Sequence, residues 1–284
     1  MGAGYRTHSP QYVFNEIQKL YYNQGINSFE VIDDNFNLDR NRAEQIFDLI
    51  IKNNLKTRLM FPNGVRLDLL DRELIDKMKQ AGTIQIAAPF DSGSPEIQQR
   101  YGRKLNLTIA EDITRYIIQK NIFTVGYFIV GYPDETKEEF KQTISLIQKI
   151  PFHYVRFFHA VVFPGTPLAF SLGHLPDPIA EPHRFDYFSK GYGNPMIPNS
   201  TIVLAKLRNL LRMLSFRHTC SFFQAHPIGF RSIIKMIAMV WNHRILHRFY
   251  SKQLRRRHGI ITKQVQLQPL KNSSKQQDNH PFGA

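Results

Sequence analysis

Apolar and polar positions alternate in blocks over residues 1–165, and their period switches repeatedly between that of a helix and that of a strand. Val13, Ile17 and Leu20 share a helical face behind Ser9-Pro10, an N-cap with proline at the first helical position, and Gly25 ends the run. Ser28–Ile32 predicts a short strand that stops at Asp33-Asp34. Asp39 is placed to cap a helix carrying Ala43, Ile46, Phe47 and Ile50 on one side. Arg58–Phe61 reads as a strand, Asp71 as the cap of a helix reaching Gly82, and Thr83–Ala88 as the next strand. Ser94-Pro95 opens a further helix, and Thr108 with Glu111 predicts a capping box for another. Phe123–Val130 is almost continuously apolar, the pattern of a strand buried on both faces. Thr136 with Glu139 predicts a second capping box, for a helix to Ile150. His153–Phe163 is the last strand, closed by Pro164-Gly165-Thr166-Pro167.

Helices and strands alternating in this way define an α/β fold with a parallel sheet, curved as a partial (βα) barrel. The series opens on a helix. Five strands follow it, so the strand that this first helix should follow is expected to be missing, and the domain to start partway through. The pattern breaks after Pro167. The expected organisation is a partial barrel at 1–168, an irregular Gly- and Pro-rich linker at 169–200, a basic helical region at 201–262 broken near Pro227, and a disordered polar tail at 263–284.

Composition narrows this further. A hydrophobic content of 42% is that of a folded chain, not a disordered one. The single cysteine, Cys220, leaves no internal disulfide and no multi-cysteine zinc or iron–sulfur site built by these residues. No apolar run reaches the ~20 residues of a membrane helix. The N-terminus lacks a signal-peptide core, and Arg6 stands where a myristoylation motif needs Ser or Thr, so a cytoplasmic location is expected.

Charge is distributed unevenly. The formal net charge is +14, yet residues 1–200 balance; the excess lies in 201–284, where Asp278 is the lone acid. That describes a neutral body with a cationic tail, not a uniformly basic nucleic-acid-binding fold. Residues 201–257 interleave the basic side chains with Phe, Ile, Leu and Met. Two readings carry about equal weight: an amphipathic segment on an anionic membrane surface, peripheral at its inner face, or a helical subdomain with solvated charges. Nucleic acid ranks third, with no recognisable binding motif. His243 and His247 have metal-site spacing but no further ligands in sequence, and read as surface histidines; Cys220 reads as an inert thiol.

In a parallel barrel, chemistry gathers where strands end. That selects Asp33 and Asp34, Asn63 to Arg66, Asp91 to Ser94, Gly131 to Glu135, and Phe163 to Thr166, with Gly64, Gly93 and Gly131 as places where a ligand could approach backbone. Taken singly these are ordinary turn residues.

Taken together they resemble a family. Tyr5–Ile17 is similar to the segment that follows the cluster-binding loop of radical S-adenosylmethionine (SAM) enzymes. Val31-Ile-Asp-Asp-Asn-Phe36, Asn63-Gly-Val-Arg66, Phe90-Asp-Ser-Gly-Ser94, Gly102-Arg-Lys104, Gly126–Thr136 and Phe163-Pro-Gly-Thr-Pro167 fall in that family's order, and most resemble the branch associated with a cobalamin-binding domain. The resemblance covers residues 5 to about 170. It implies that Asp33 and Asp34 meet the amino group of SAM, that Asn63 belongs to the same binding surface, and that Asp91 and Ser92 contact the ribose, Asp91 standing where Glu is usual. It further implies that Arg103 meets the SAM carboxylate, and that Ile129, Gly131 and Phe163 lie beside adenine. Asp134 stands where a Gly is common.

The resemblance also implies a 4Fe–4S cluster, and cobalamin in the full-length family, with ligands not in this chain: the three-cysteine loop would precede the first residue. The resulting expectation is the C-terminal part of a radical SAM enzyme acting on an unactivated carbon by methylation or rearrangement, with an unknown small-molecule substrate and an N-terminal half from another chain. The alternatives are a non-catalytic remnant or partner subunit of a split protein, and a peripheral membrane-binding protein that uses the barrel as a scaffold.

Overall fold

A computed structural model describes residues 6–172, 194 and 196–213. All of them belong to one compact unit, Met1–Pro227; the second unit, Ile228–Ala284, lies outside them. The expectations for the irregular connection at 173–193, the basic segment from 214 onward, Cys220, His243, His247 and the polar tail also fall outside the described residues.

The described chain runs α1 (Pro10–Gln24), β1 (Ser28–Glu30), α2 (Arg40–Lys52), β2 (Arg58–Phe61), a short 3-10 turn (Leu67–Leu69), α3 (Arg72–Gln80), β3 (Thr83–Asp91), α4 (Pro95–Arg100), α5 (Leu107–Gln119), β4 (Phe123–Val130), α6 (Lys137–Lys149), β5 (Tyr154–His159), α7 (Pro167–Leu172) and α8 (Asn199–Met213). The five strands form one parallel sheet in the order β1-β2-β3-β4-β5. Strands added one after another by crossovers of a single hand place every intervening helix on the same face. The other face is the concave side of a partial barrel.

Local chemistry starts the helices where the sequence indicates. The side chains of Ser9, Asp39, Asp71 and Ser94 each accept a hydrogen bond from the backbone N–H three residues on, and Thr136 with Glu139 forms a complete capping box. One expected box does not form. Helix α5 begins earlier, capped by Asn106, whose side chain accepts from Ile109 N–H. Glu111, freed from capping, instead pairs with Arg115 and Lys149. The last strand is also shorter than its apolar run: β5 stops at His159, and Ala160–Phe163 leave the sheet.

The core lies between sheet and helices. Phe90 stacks on Phe128 at 5.5 Å, with Phe152 edge-on to both, while Phe36, Phe47 and Phe61 form a second aromatic group under α2. Gly93 makes one helix contact possible: a Cβ there would stand 2.7 Å from the Cα of Thr143, so α6 packs directly on the backbone after β3. That contact ties the turn after β3 to the helix that follows β4.

Candidate functional site

The ends of β3, β4 and β5 open into a cavity of about 450 Å³, within the range of small-molecule sites. Parallel pairing sets its walls. Tyr127 is in register with Arg156 and Ile129 with Phe158, so these side chains share the concave face. Tyr127 and Ile129 are half-buried there, whereas their neighbours Phe128 and Val130 point into the core. Pro89, Phe163 and Leu168 add apolar wall, and Tyr127 donates from its hydroxyl to the Pro62 carbonyl at 2.9 Å.

Asp91 is the acid of the lining. The β3 register slips between Pro89 and Asp91, and Asp91 itself has a left-handed φ of 62°, rare for a non-glycine residue. Gln98 secures this bend from beneath, its buried amide donating to the carbonyls of Phe90 (2.6 Å) and Ser92 (2.8 Å). Burial raises the Asp91 pKa above the usual carboxylate value, against the pull of Arg103. Arg103 Nε lies 2.8 Å from Asp91 Oδ2, and its Nη2 donates to the Pro89 carbonyl at 3.0 Å. The guanidinium fork is thus partly engaged inside the protein. A ligand carboxylate would have to displace Asp91 to be held bidentately.

The β4 end is organised by a buried acid. Glu135 Oε2 accepts from the N–H groups of Gly131 (2.7 Å) and Tyr132 (3.3 Å), while Oε1 has no hydrogen-bond partner. Desolvation pushes its pKa up to about 7, despite those two bonds. Asn194 donates to the carbonyls of Tyr132 and Glu135, fastening the same turn from outside. Tyr132 packs against Tyr101, whose hydroxyl donates to Asp134; Arg100 pairs with Asp134 and Glu139. Asp134, where the family more often has Gly, is thus used to tie α4 to this turn.

The sequence-selected residues divide. Asn63, Asp91, Ile129 and Phe163 line the cavity, and Arg103 reaches it through Asp91. Ser92 does not: it is buried and bonded to Thr143, beneath the bend. Asp33 and Asp34 lie exposed on the loop after β1, away from the lining, although Asn63 donates to the Ile32 carbonyl at 2.7 Å and holds that loop nearby. Of the three glycines, Gly64 faces the Pro89 ring and Gly93 faces α6, so both serve packing; Gly131 has φ 75° and open space beside it, with Ile202 nearest at 3.9 Å. Pro89, Tyr127, Phe158 and His159 were not singled out from sequence. A period-2 reading of β4 and β5 from Ile129 would have found the two aromatics, but His159 has no sequence signal of its own.

Among the described residues no group of three or more His, Cys, Asp or Glu side chains could hold a metal ion, and none of them is a cysteine. They do not fit an iron–sulfur cluster, whose irons need thiolates. They do fit a small polar molecule with an apolar face. Nor is any helix among them long and apolar enough to cross a membrane.

Comparison with protein families matches residues 2–147 to the Radical SAM superfamily. The chain belongs to that superfamily. More particularly, it is 30% identical over 167 residues to an uncharacterized methyltransferase of Pyrococcus horikoshii, covering 59% of this chain and 36% of the relative. It is 28% identical over 174 residues to the cytidylyl-2-hydroxyethylphosphonate methyltransferase of Streptomyces wedmorensis, covering 59% and 32%. The fold is similar to that of the radical SAM methyltransferase TsrM from Kitasatospora setae, a structure with cobalamin and a 4Fe–4S cluster bound, at a TM-score of 0.54 and 22% identity over 60% of this chain and 34% of that one. The chain therefore spans about a third of the length of the curated relatives it matches.

Proposed function

We propose that this chain supplies the SAM-facing part of a radical SAM methyltransferase, and that the cluster-binding cysteines are contributed from outside the described residues. The carrying observation is the cavity at the ends of β3–β5, with strained Asp91 and its partner Arg103 on one side and an apolar wall on the other. Asp91 can accept from ribose hydroxyls, and Ile129, Phe158 and Phe163 can cover the flat face of adenine. Arg103 would hold a carboxylate once released from Asp91, while the exposed pair Asp33 and Asp34 is free to meet an amino group. When bound, SAM supplies the transferable methyl or adenosyl group; the substrate carbon and the part cobalamin plays belong to the whole protein.

Calorimetry with SAM tests the pocket. Saturable binding, weakened by Asp34→Ala and by Arg103→Ala, is expected; no binding by the wild-type chain would leave the non-catalytic remnant as the better reading. Anaerobic reconstitution with iron and sulfide, followed by EPR, tests the division of labour. A stoichiometric 4Fe–4S signal from this chain alone would overturn it.

A second reading has its own observation. On α8, Val203, Leu204, Leu207, Leu210 and Leu211 are all exposed, next to an acid-free stretch of sequence. We infer that this stripe and the basic residues after it favour an anionic membrane surface. Flotation with vesicles containing phosphatidylserine should carry the protein upward at low salt; its remaining at the bottom of the gradient removes this reading.

A further inference from the structure

Helix α8 lies along α6 and runs in the same direction. Just ahead of α8, Asn194 donates to the carbonyls of Tyr132 and Glu135, which precede α6; near the end of α8, Arg212 donates to carbonyls in the last turn of α6. Between these two fastenings the helices leave a groove of about 450 Å³. Lys137, Phe140, Lys141, Ile144 and Gln148 recur at three- and four-residue spacing, so one face of α6 forms one wall. Ile197, Leu204 and Ala205 come from the α8 side. Phe140 and Ile197 are buried, and Ile144 and Ala205 half-buried, which makes an apolar floor. The groove shares no lining residue with the cavity at the strand ends.

Its rim carries charge of one sign. Lys137 and Lys141 stand on consecutive turns at one end, Arg208 lines the α8 side, and among the described residues no Asp or Glu lines the groove. Lys137 and Arg208 have no carboxylate partner among those residues. Lys141 pairs with Glu138 at 3.1 Å, but both are exposed, and water and salt weaken such a pair. Met196, two residues after Asn194, is exposed at the same end, an unbranched side chain that adapts to what it covers.

Length and width select the occupant. The wall from Lys137 to Gln148 spans ~16 Å of helix rise, so the volume corresponds to a mean cross-section of roughly 30 Å². An α-helix with its side chains, ~10 Å across, needs ~80 Å². A partner helix does not enter; a single extended chain does. We propose that the α6–α8 groove binds an anionic amphiphile, an unbranched apolar chain ending in an acidic head group. The chain lies on Phe140, Ile144 and Ile197, where burial takes its surface out of water. The head sits at Lys137 and Lys141, whose ammonium donors give it charge-assisted hydrogen bonds. Leu204 belongs both to the groove and to the exposed stripe of α8, so the groove opens onto the apolar surface where such a chain would enter. This site goes beyond the methyltransferase reading and does not rest on it.

The test follows the Met196 methyl group by carbon-13 NMR in the full chain, its signal identified by Met196→Leu. The probes are dodecanoate below its micelle concentration, hexanoate with the same head and a shorter chain, and dodecyl maltoside with the same chain and no charge. A saturable Met196 shift is expected with dodecanoate, and binding about tenfold weaker or less with each of the others. The double variant Lys137→Gln, Lys141→Gln should lose about tenfold for dodecanoate and nothing for the maltoside. Ala205→Phe, which fills the floor, should abolish both; if thermal melts show that it unfolds, Ser145→Phe on the facing wall takes its place with the same expectation. No Met196 shift with dodecanoate, equal affinity for the neutral probe, or an unchanged affinity in the double variant overturns the proposal. So does a shift produced by phosphatidylserine vesicles but not by free dodecanoate, which would give the groove to the membrane surface.

Discussion

The two ends of the sheet are built to different standards. At one end β1 has three residues, only its middle one half-buried, and the loop that follows leaves Asp33 and Asp34 in solvent. Toward the other, which closes with six-residue β5, the interior strands β3 and β4 have nine and eight residues, flanked on both sides and backed by helices. This second end supplies Pro89, Asp91, Tyr127, Ile129, Phe158 and His159 to the cavity, while the β1–β2 side supplies Asn63. The difference teaches where strain can be held. A left-handed aspartate persists when Gln98, Arg103 and a packed strand all oppose its relaxation, and β1 has no comparable support.

Four experiments can break or sharpen this contrast. The largest effect is expected in the core beneath the cavity. Phe128→Ala should lower unfolding free energy by about 3–5 kcal/mol, whereas Phe29→Ala in β1, half-buried, should cost roughly 1 kcal/mol. Equal losses in urea titrations would mean that β1 is as firmly built as β4.

Glu135 gives the next effect, through pH. Its folded pKa of about 7 lies above its ordinary 4.5, so the fold favours the neutral acid. The stability this contributes is fully present below pH 4.5 and lost as pH rises through 7, by at most about 3 kcal/mol for a shift of this size. Glu135→Gln, which keeps the acceptor for Gly131 N–H, should flatten that part of the melting-temperature profile. A variant profile with the wild-type slope would place the titration elsewhere.

Ligand binding comes third. Asp91→Asn should weaken SAM by about tenfold, or ~1.4 kcal/mol, measured by calorimetry, and Asp33→Asn by less, since Asp33 must be gathered from solvent. The reverse order would shift the weight of the site toward β1. Smallest is the start of α5: Asn106→Ala should cost about 1 kcal/mol, and Thr108→Ala less than about 0.5 kcal/mol. A larger loss at Thr108 would restore the capping box expected from sequence.

Much of the scaffold was legible because its signals are local. Phe123–Val130 reads as a strand from one end to the other since both faces are buried, and five N-caps read correctly because the capping bond spans three residues. Asn106 was missed because Thr108 and Glu111 offered a competing box one half-turn later. The end of β5 was misplaced because Ala160–Phe163 stay apolar for a different reason: Ala160, Val161 and Phe163 line the cavity outside the sheet. Asn63, Asp91, Ile129 and Phe163 were legible through motif order. The meeting of His159 with Lys206 was not, since 47 residues separate them and α8 has to fold back across the sheet before they touch.

The far end of α8 gives this meeting a mechanical side. Arg212 donates from Nη1 to the carbonyls of Ile147 (2.6 Å), Gln148 (3.1 Å) and Ile150 (3.3 Å), closing the C-terminal end of α6. Six residues separate Arg212 from Lys206, about 9 Å of helix rise. The helix therefore works as a ruler clamped at two marks, one on the last turn of α6 and one on the last residue of β5. Inserting a single residue between the marks would rotate one against the other by ~100°. The clamp and the ammonium could no longer both reach their partners, although every side chain involved would still be present.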